Sequence, residues 1–226
     1  CGWAALCFRK EIMMKNFIFL GPPGVGKGTI ADIVCSRHDF RHISTGDILR
    51  QEINNKTDLG LQAQADIDAG RLVPDEVVTK MVQERISPDL PGVVLDGFPR
   101  TVNQARLLDQ CLEAKGLGLD AALLFDVGKD LIVKRLTSRL VCESCGAVYN
   151  RYSNPPQTDS VCDKCGGTLV QRSDDNEDTI KDRVRVYEEQ TAPLIEFYQQ
   201  KGILVRVAAE GHPEDNYARV RKALNL

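Results

Sequence analysis

Nine consecutive residues, GPPGVGKGT at 21–29, contain Gly21, Gly24, Gly26 and Gly28, two prolines, Lys27 and Thr29, directly behind the apolar run NFIFL. They satisfy the spacing Gly-x-x-x-x-Gly-Lys, with Gly28 after the lysine and the hydroxyl one place later, at Thr29. Glycines let successive backbone N–H groups turn inward into a concave nest for phosphate oxygens. Lys27 adds a full positive charge, and the helix suggested by TIADIVCSRH aims its partly positive N-terminus at the same anion. A Gly/Pro-rich turn between strand and helix is the plainer reading of these letters, but the apolar run before and the helical run after favour a phosphate cradle. A cradle implies a nucleotide and leaves the reaction open.

One carboxylate and several arginines fall where they can serve a phosphate chain. Asp96 ends the run VVL, which puts it at the C-terminal edge of a sheet, where open α/β sheets hold ligands. A carboxylate there can hold Mg²⁺ against phosphates, directly or through water. STGDILR (44–50) and GFPRT (97–101) each set an arginine, Arg50 and Arg100, within reach of a Gly-containing turn. A guanidinium donates paired hydrogen bonds to phosphate and keeps its charge, so two such sites beside one loop suggest a second phosphate-bearing substrate. For STGD alone, a helix cap by Ser44 or Thr45 is the alternative. A third group comprises Arg135 and Arg139, four apart in the helical run 129–140 and so expected on one face, with Arg172 and Arg183 further on. These can close on phosphates or pair with Asp174, Asp175, Glu177 and Asp178.

Eight cysteines divide by spacing. Cys1, Cys7, Cys35 and Cys111 are scattered, and the last two fall in helical runs where a cysteine acts as a small apolar residue. Cys142 and Cys145 form one Cys-x-x-Cys pair, Cys162 and Cys165 another, with sixteen residues between. That pattern fits a tetrahedral Zn²⁺ site, and four thiolates leave no position for water, so the metal is expected to be structural. In small modules such binding supplies folding energy on the order of 10 kcal/mol. Disulfides or an iron–sulfur cluster are the competing readings.

The elements that must position these groups follow from the apolar pattern. Runs of β type lie at 16–20, 40–43, 92–96, 120–127 and 203–207, alternating with helical periodicity at 59–70, 75–86, 102–115, 129–140, 177–200 and 214–224. Continuous apolar strands between amphipathic helices predict an α/β sandwich, a parallel sheet covered on both faces. From about 141 to 175 the pattern breaks into a polar, turn-rich segment that reads as an inserted subdomain. There Tyr149 and Tyr152 are expected in its core.

With 226 residues, 42% hydrophobic and 27% charged, the chain can bury one large core. A net charge of −3 argues against a general nucleic-acid or anionic-membrane surface. No apolar run is long enough for a membrane span, so no membrane partner is expected and the chain reads as cytoplasmic. Residues 1–13 read as an extension outside the fold, with Met13-Met14 as a candidate start.

The phosphate loop, STGDILR, GRLVPDE, LDGFPRT, the four-cysteine insertion and DDNEDTIKDR, in this order, resemble bacterial adenylate kinases of the long-lid, zinc-containing type. The resemblance implies Mg·ATP + AMP ⇌ 2 ADP on a P-loop NTPase-type three-layer α/β/α sandwich with a five-stranded parallel sheet. It also implies a small helical AMP-binding domain (44–73) and a zinc-bearing lid (136–175) within a kinase domain spanning 14–226. By motif, Gly24, Val25, Gly26, Lys27, Gly28 and Thr29 resemble the ATP phosphate loop. Arg135 is similar to the arginine stacked on the ATP base, and Arg139, Arg172 and Arg183 to phosphate clamps, with Arg139 on the ATP side and Arg172 and Arg183 also touching AMP. Thr45, Gly46, Arg50, Val73, Gly97, Arg100 and Gln104 resemble the AMP site, and Asp96 the organiser of the Mg²⁺ water shell. Lys27, Asp96, Arg100, Arg139, Arg172 and Arg183 are thereby the expected catalytic set, the nucleotides ATP, AMP and ADP the expected partners, and a monomer the expected state. Kinases of UMP, CMP or GMP, and a zinc-ribbon nucleic-acid- or partner-binding module, are the alternatives. Against the ribbon, residues 141–175 carry Arg151, Lys164 and Arg172 as their basic residues beside Glu143, Asp159, Asp163, Asp174 and Asp175.

Overall fold

Alternating side chains on short strands, apolar toward both faces, account for the frame. A computed structural model describes residues 15–226. The expected extension at 1–13 and its candidate start lie outside the described residues. Strands β1 (Lys15–Leu20), β2 (Arg41–Ser44), β3 (Gly92–Asp96) and β4 (Ala121–Asp126) join β8 (Leu204–Ala208) in one sheet of order β2-β3-β1-β4-β8, with every pairing parallel.

Period-two alternation splits the core into two layers. Phe17, Phe19, Val94, Leu123 and Phe125 face α1 (Lys27–His38) and α9 (Pro213–Leu224), where Ile30, Ala31, Val34, Tyr217, Val220 and Leu224 cover them. Ile18, Leu20, Val93, Leu95 and Leu124 face the opposite layer, built from α4 (Asp75–Gln83), α5 (Val102–Ala114) and α8 (Pro193–Gln200). Each large core side chain buried this way contributes about 1.5–3 kcal/mol. The helices α2 (Thr45–Asn54) and α3 (Asp58–Asp68) pack on each other, α2 beside β3, and contribute Leu49 and Ala63 to that second layer. Ser44 caps α2, its hydroxyl accepting from Asp47 N–H at 3.3 Å.

Two helical expectations change. The run 129–140 does not stay helical: α6 (Lys129–Thr137) ends and Arg139 opens β5 (Arg139–Cys142). Ile132, Leu136 and Leu140 recur at four-residue spacing, which mimics a continuing helix, but Leu140 buries in a different cluster. Arg135 and Arg139 therefore do not share a helix face. The run 177–200 divides into α7 (Glu177–Val186), a π-helical turn (Tyr187–Thr191) and α8, which starts at Pro193. Proline lacks the N–H that would continue an α-helical ladder and is suited to a first helical position.

Between α6 and α7, β5 pairs antiparallel with β6 (Val148–Asn150) and β7 (Leu169–Val170), forming a separate three-stranded sheet of order β6-β5-β7. Its buried cluster is Leu140, Cys142, Tyr149, Cys162 and Leu169. Tyr149 belongs to this core as expected, whereas Tyr152 is exposed, with Lys134 Nζ 3.5 Å from its ring centroid.

Candidate active site

The loop leaves β1 at Gly21 and enters α1 at Lys27. Gly26, just before the helix, has φ +102°, a left-handed conformation that a side chain would strain. No side chain caps α1, so its first N–H groups stay available to an anion. Lys27 Nζ donates to Gly21 O at 2.8 Å and Pro22 O at 3.0 Å, folding back along the loop. Burial pushes its pKa down to about 8; Asp96 opposes this, while Arg100, Arg183 and Arg139 add to it. Gly28 lies against Asp96, since a Cβ there would stand 3.2 Å from Asp96 Oδ2. The missing side chain leaves a carboxylate next to the phosphate cradle, a hard oxygen donor suited to Mg²⁺.

A cleft of about 280 Å³ runs from residues 24–29 past Asp96 to Arg135, Arg139, Arg172 and Arg183. A second cavity of about 80 Å³ is lined by Thr45, Val73, Gln104 and their neighbours. The two share Gly46, Arg50, Gly97, Arg100 and Arg183 as a common wall. In that wall Thr45 Oγ1 and Arg100 Nε both donate to Gly97 O at 2.8 Å. Gln104 is buried, its Oε1 accepting from Arg100 N–H at 2.7 Å and its Nε2 donating to Asp75 Oδ1 at 2.8 Å. Every expected nucleotide-site residue therefore lines one cavity or both.

The arginines form a cationic ring at the cleft. Arg100 is exposed there, while burial, reinforced by Arg139 and Arg50, pushes the Arg172 pKa down to about 9. Arg172 Nε is buried without a hydrogen-bond partner. Such crowding of like charge is relieved by a polyanion. Aspartates occupy part of the ring: Arg139 Nε donates to Asp175 Oδ2 at 2.7 Å, and Arg183 Nη1 lies 2.9 Å from both Asp174 Oδ2 and Asp175 Oδ1. The salt-bridge reading of these arginines thus holds for Asp174 and Asp175, whereas Asp178 pairs with Lys181. Arg135 stands apart, donating to Val25 O at 3.0 Å while its own carbonyl accepts from Asn150 Nδ2.

In the small sheet the four sulphurs of Cys142, Cys145, Cys162 and Cys165 lie within 4.8 Å of one another and form no disulfide. Each pair sits on a tight turn, closed by Gly146 N–H to Cys142 O and Gly166 N–H to Cys162 O. The Cys145 N–H lowers the Cys142 pKa, favouring thiolate. Gly167 N–H likewise favours the Cys165 thiolate, but hydrogen bonding among the sulphurs outweighs it and pushes Cys165 up to about 12. Four thiolates cannot all form here without a cation, and tetrahedral zinc with Zn–S bonds of about 2.3 Å fits the separations.

Sequence reasoning missed the supporting groups. Asp47 accepts from Arg50 at 2.6 Å and lies 3.8 Å from Arg172. Asp75 gathers Thr101, Asn103 and Gln104. His42 sits between Asp32 and Asp96. Their partners are distant in sequence or depend on sheet register, so no local pattern marks them, except that Asp47 and Arg50 are a helical i, i+3 pair.

Among the described residues no helix is long and apolar enough to cross a membrane. The family model described as Adenylate kinase matches residues 19–203. Curated proteins named Adenylate kinase from Clostridium tetani, Clostridium perfringens and Carboxydothermus hydrogenoformans are 49%, 50% and 46% identical, covering 89%, 84% and 92% of this chain and 93%, 88% and 99% of their own lengths. Matches of this extent agree with a phosphate loop opening on two joined cavities: the chain belongs to the adenylate kinase family.

Proposed function

We propose a division of labour for the reaction that family membership carries, Mg·ATP + AMP ⇌ 2 ADP, which the kinase alternatives for UMP, CMP or GMP and the ribbon alternative do not share. One observation carries it: the phosphate-loop cleft and the Thr45–Gln104 cavity share a wall containing Arg50, Arg100 and Arg183. Two nucleotides entering from opposite sides bring their phosphates together at that wall.

Residues 24–29 cradle the ATP phosphates, and Lys27 follows the transferred group. Arg135 lies against the ATP base. Thr45, Gly46, Val73, Gly97 and Gln104 hold AMP, while Arg50 and Arg100 grip its phosphate. Arg139, Arg172 and Arg183 exchange their aspartate partners for phosphate oxygens as charge spreads over the transferring group. A loose phosphoryl transition state needs alignment and charge neutralisation rather than a covalent nucleophile. Asp96 is the residue suited to organise the Mg²⁺ shell, and the ion when bound neutralises phosphate charge. Cys142, Cys145, Cys162 and Cys165 hold structural zinc.

Residues 44–73 form the AMP-binding subdomain, and 136–175 form a lid that excludes water from the phosphoryl group, hydrolysis being the obvious side reaction. The chain works as a cytoplasmic monomer. The deciding experiment is product identification with Mg·ATP and AMP, UMP, CMP or GMP in turn, beside a control without acceptor. ADP formed only with AMP is expected; transfer to another monophosphate overturns the AMP assignment, and hydrolysis alone overturns the kinase reading. Arg100→Ala is expected to raise the KM for AMP about tenfold or more, and Arg139→Ala to act on kcat instead.

A further inference from the structure

Strand register brings an unassigned histidine to the active-site carboxylate. In the parallel pair β2 and β3, His42 lies beside Val94 and Ser44 beside Asp96. Side chains two residues apart leave the same face of a sheet, and Val94 packs in the layer under α1. His42 and Asp96 therefore emerge together beneath the helix that carries Asp32. The His42 Nδ1 is 2.9 Å from Asp32 Oδ1, a hydrogen bond. Its Nε2 is 3.7 Å from Asp96 Oδ2, an ion-pair distance rather than a hydrogen bond. That nitrogen is buried and has no hydrogen-bond partner, an arrangement a fold retains only at a cost. A small rotation of the Asp96 carboxylate would satisfy it.

We propose that His42 is a positioning residue for phosphoryl transfer: anchored by Asp32 through Nδ1, it presents Nε2 to Asp96 and fixes the carboxylate facing the cation of the bound nucleotide. This rests on the reading of Asp96 as the group that organises Mg²⁺. Outer partners of this kind orient a carboxylate before the cation arrives, and their loss typically weakens metal affinity about 10–100-fold. An imidazole set between two carboxylates, hydrogen-bonded to one and facing the other, serves both by donating from each ring nitrogen. Asp32 is 65% exposed and lines the same cleft, which makes it an anchor the core does not need.

The test compares the full chain with His42→Leu, His42→Gln, Asp32→Asn and Asp96→Asn. Binding of Mn²⁺, a paramagnetic stand-in for Mg²⁺, to the enzyme–ATP complex is followed by electron paramagnetic resonance, alongside kcat, KM and thermal midpoint. His42→Leu is expected to weaken Mn²⁺ binding about tenfold and lower kcat with the KM for AMP unchanged. His42→Gln, whose amide can donate to Asp96, recovers most of both, and Asp32→Asn shows a smaller loss in the same direction. Wild-type Mn²⁺ binding in His42→Leu, or a lower midpoint with glutamine no better than leucine, overturns the proposal. Should His42→Leu fail to fold, unchanged Mn²⁺ binding in Asp32→Asn overturns it instead. If Asp96→Asn itself leaves Mn²⁺ binding intact, the reading of Asp96 fails and takes this proposal with it; if only the Asp96 variant binds weakly, the His42 proposal alone falls.

Discussion

The floor of the cleft and the four-cysteine segment above it hold charged groups in place by different physical means. The floor rests on five parallel strands covered on both faces, so Lys27 and Asp96 stand at the ends of strands and helices locked by two large apolar clusters. The four-cysteine segment has three short strands and five buried side chains, two of them cysteines. A core that small cannot offset its own chain entropy, and metal coordination makes up the difference. Precision in the floor comes from packing, and in the upper segment from zinc.

The sharpest way to separate the two is to damage each alone. Lys27→Met removes the charge at the phosphate cradle and is expected to lower kcat about 10²–10³-fold, by analogy with loss of a transition-state donor. Zinc content should not change, because Lys27 donates to the loop carbonyls of Gly21 and Pro22, which lie outside the zinc cluster. Steady-state kinetics beside metal analysis checks both halves; loss of zinc in this variant would mean that floor and upper segment do not hold independently.

Removing zinc is the converse and the next largest effect. Chelation should free residues 139–170, loosen the seats of Arg139 and Arg172, and lower kcat about 10²-fold, again on the scale of a lost transition-state donor. Amides of β1, β3 and β4 should keep their hydrogen-exchange protection, since none of those strands belongs to the zinc cluster. A single transition that releases metal and exposes those strands together would defeat the comparison.

A smaller, graded effect comes from pH acting on Lys27 in the floor. Lys27 has a pKa lowered from 10.5 to about 8, burial being the main cause. In the nucleotide-free enzyme it is charged below that value and neutral above it. ATP affinity should therefore fall as pH rises through 8, with a limiting slope of about tenfold per unit. The Lys27 contribution to the stability of the free enzyme runs the other way: between about 8 and 10.5 the unfolded chain holds a proton on this lysine that the folded one lacks, so that contribution rises with pH across the window. Titration calorimetry and denaturation on wild type and Lys27→Met, whose difference isolates the lysine's part of both trends, check the assignment.

The same contrast governs what the sequence discloses. The central strands β1, β3 and β4 carry continuous apolar runs, and the edge strands β2 and β8 shorter ones beside the exposed Arg41 and Arg206, so all five core strands, the phosphate loop and Asp96 at a strand end are legible. Cysteine spacing is equally legible because a tight turn fixes each pair. The strand placement of Arg139 is not, because Leu140 extends the Ile132–Leu136 spacing while belonging to another core. His42 and Asp75 are not, because what they touch is set by sheet register or by residues 26 to 29 positions away. Local pattern reports elements; the contacts that aim a side chain are tertiary.

The smallest expected effect lies inside the zinc segment and tests whether its order comes from the metal or from its few side chains. The Tyr149 hydroxyl lies 3.6 Å from Cys162 Sγ and accepts from Asp163 N–H at 2.9 Å, tying the ring to the second cysteine turn. Tyr149→Phe keeps the ring in the core and removes both ties. If coordination dominates, zinc stays bound and only its release to a chelator quickens, by about tenfold or less, as expected for a group that orients a metal ligand. Turnover and the unfolding of the floor should not move. Loss of zinc during purification would instead show that the side-chain packing around Tyr149, and not the four thiolates alone, builds the site.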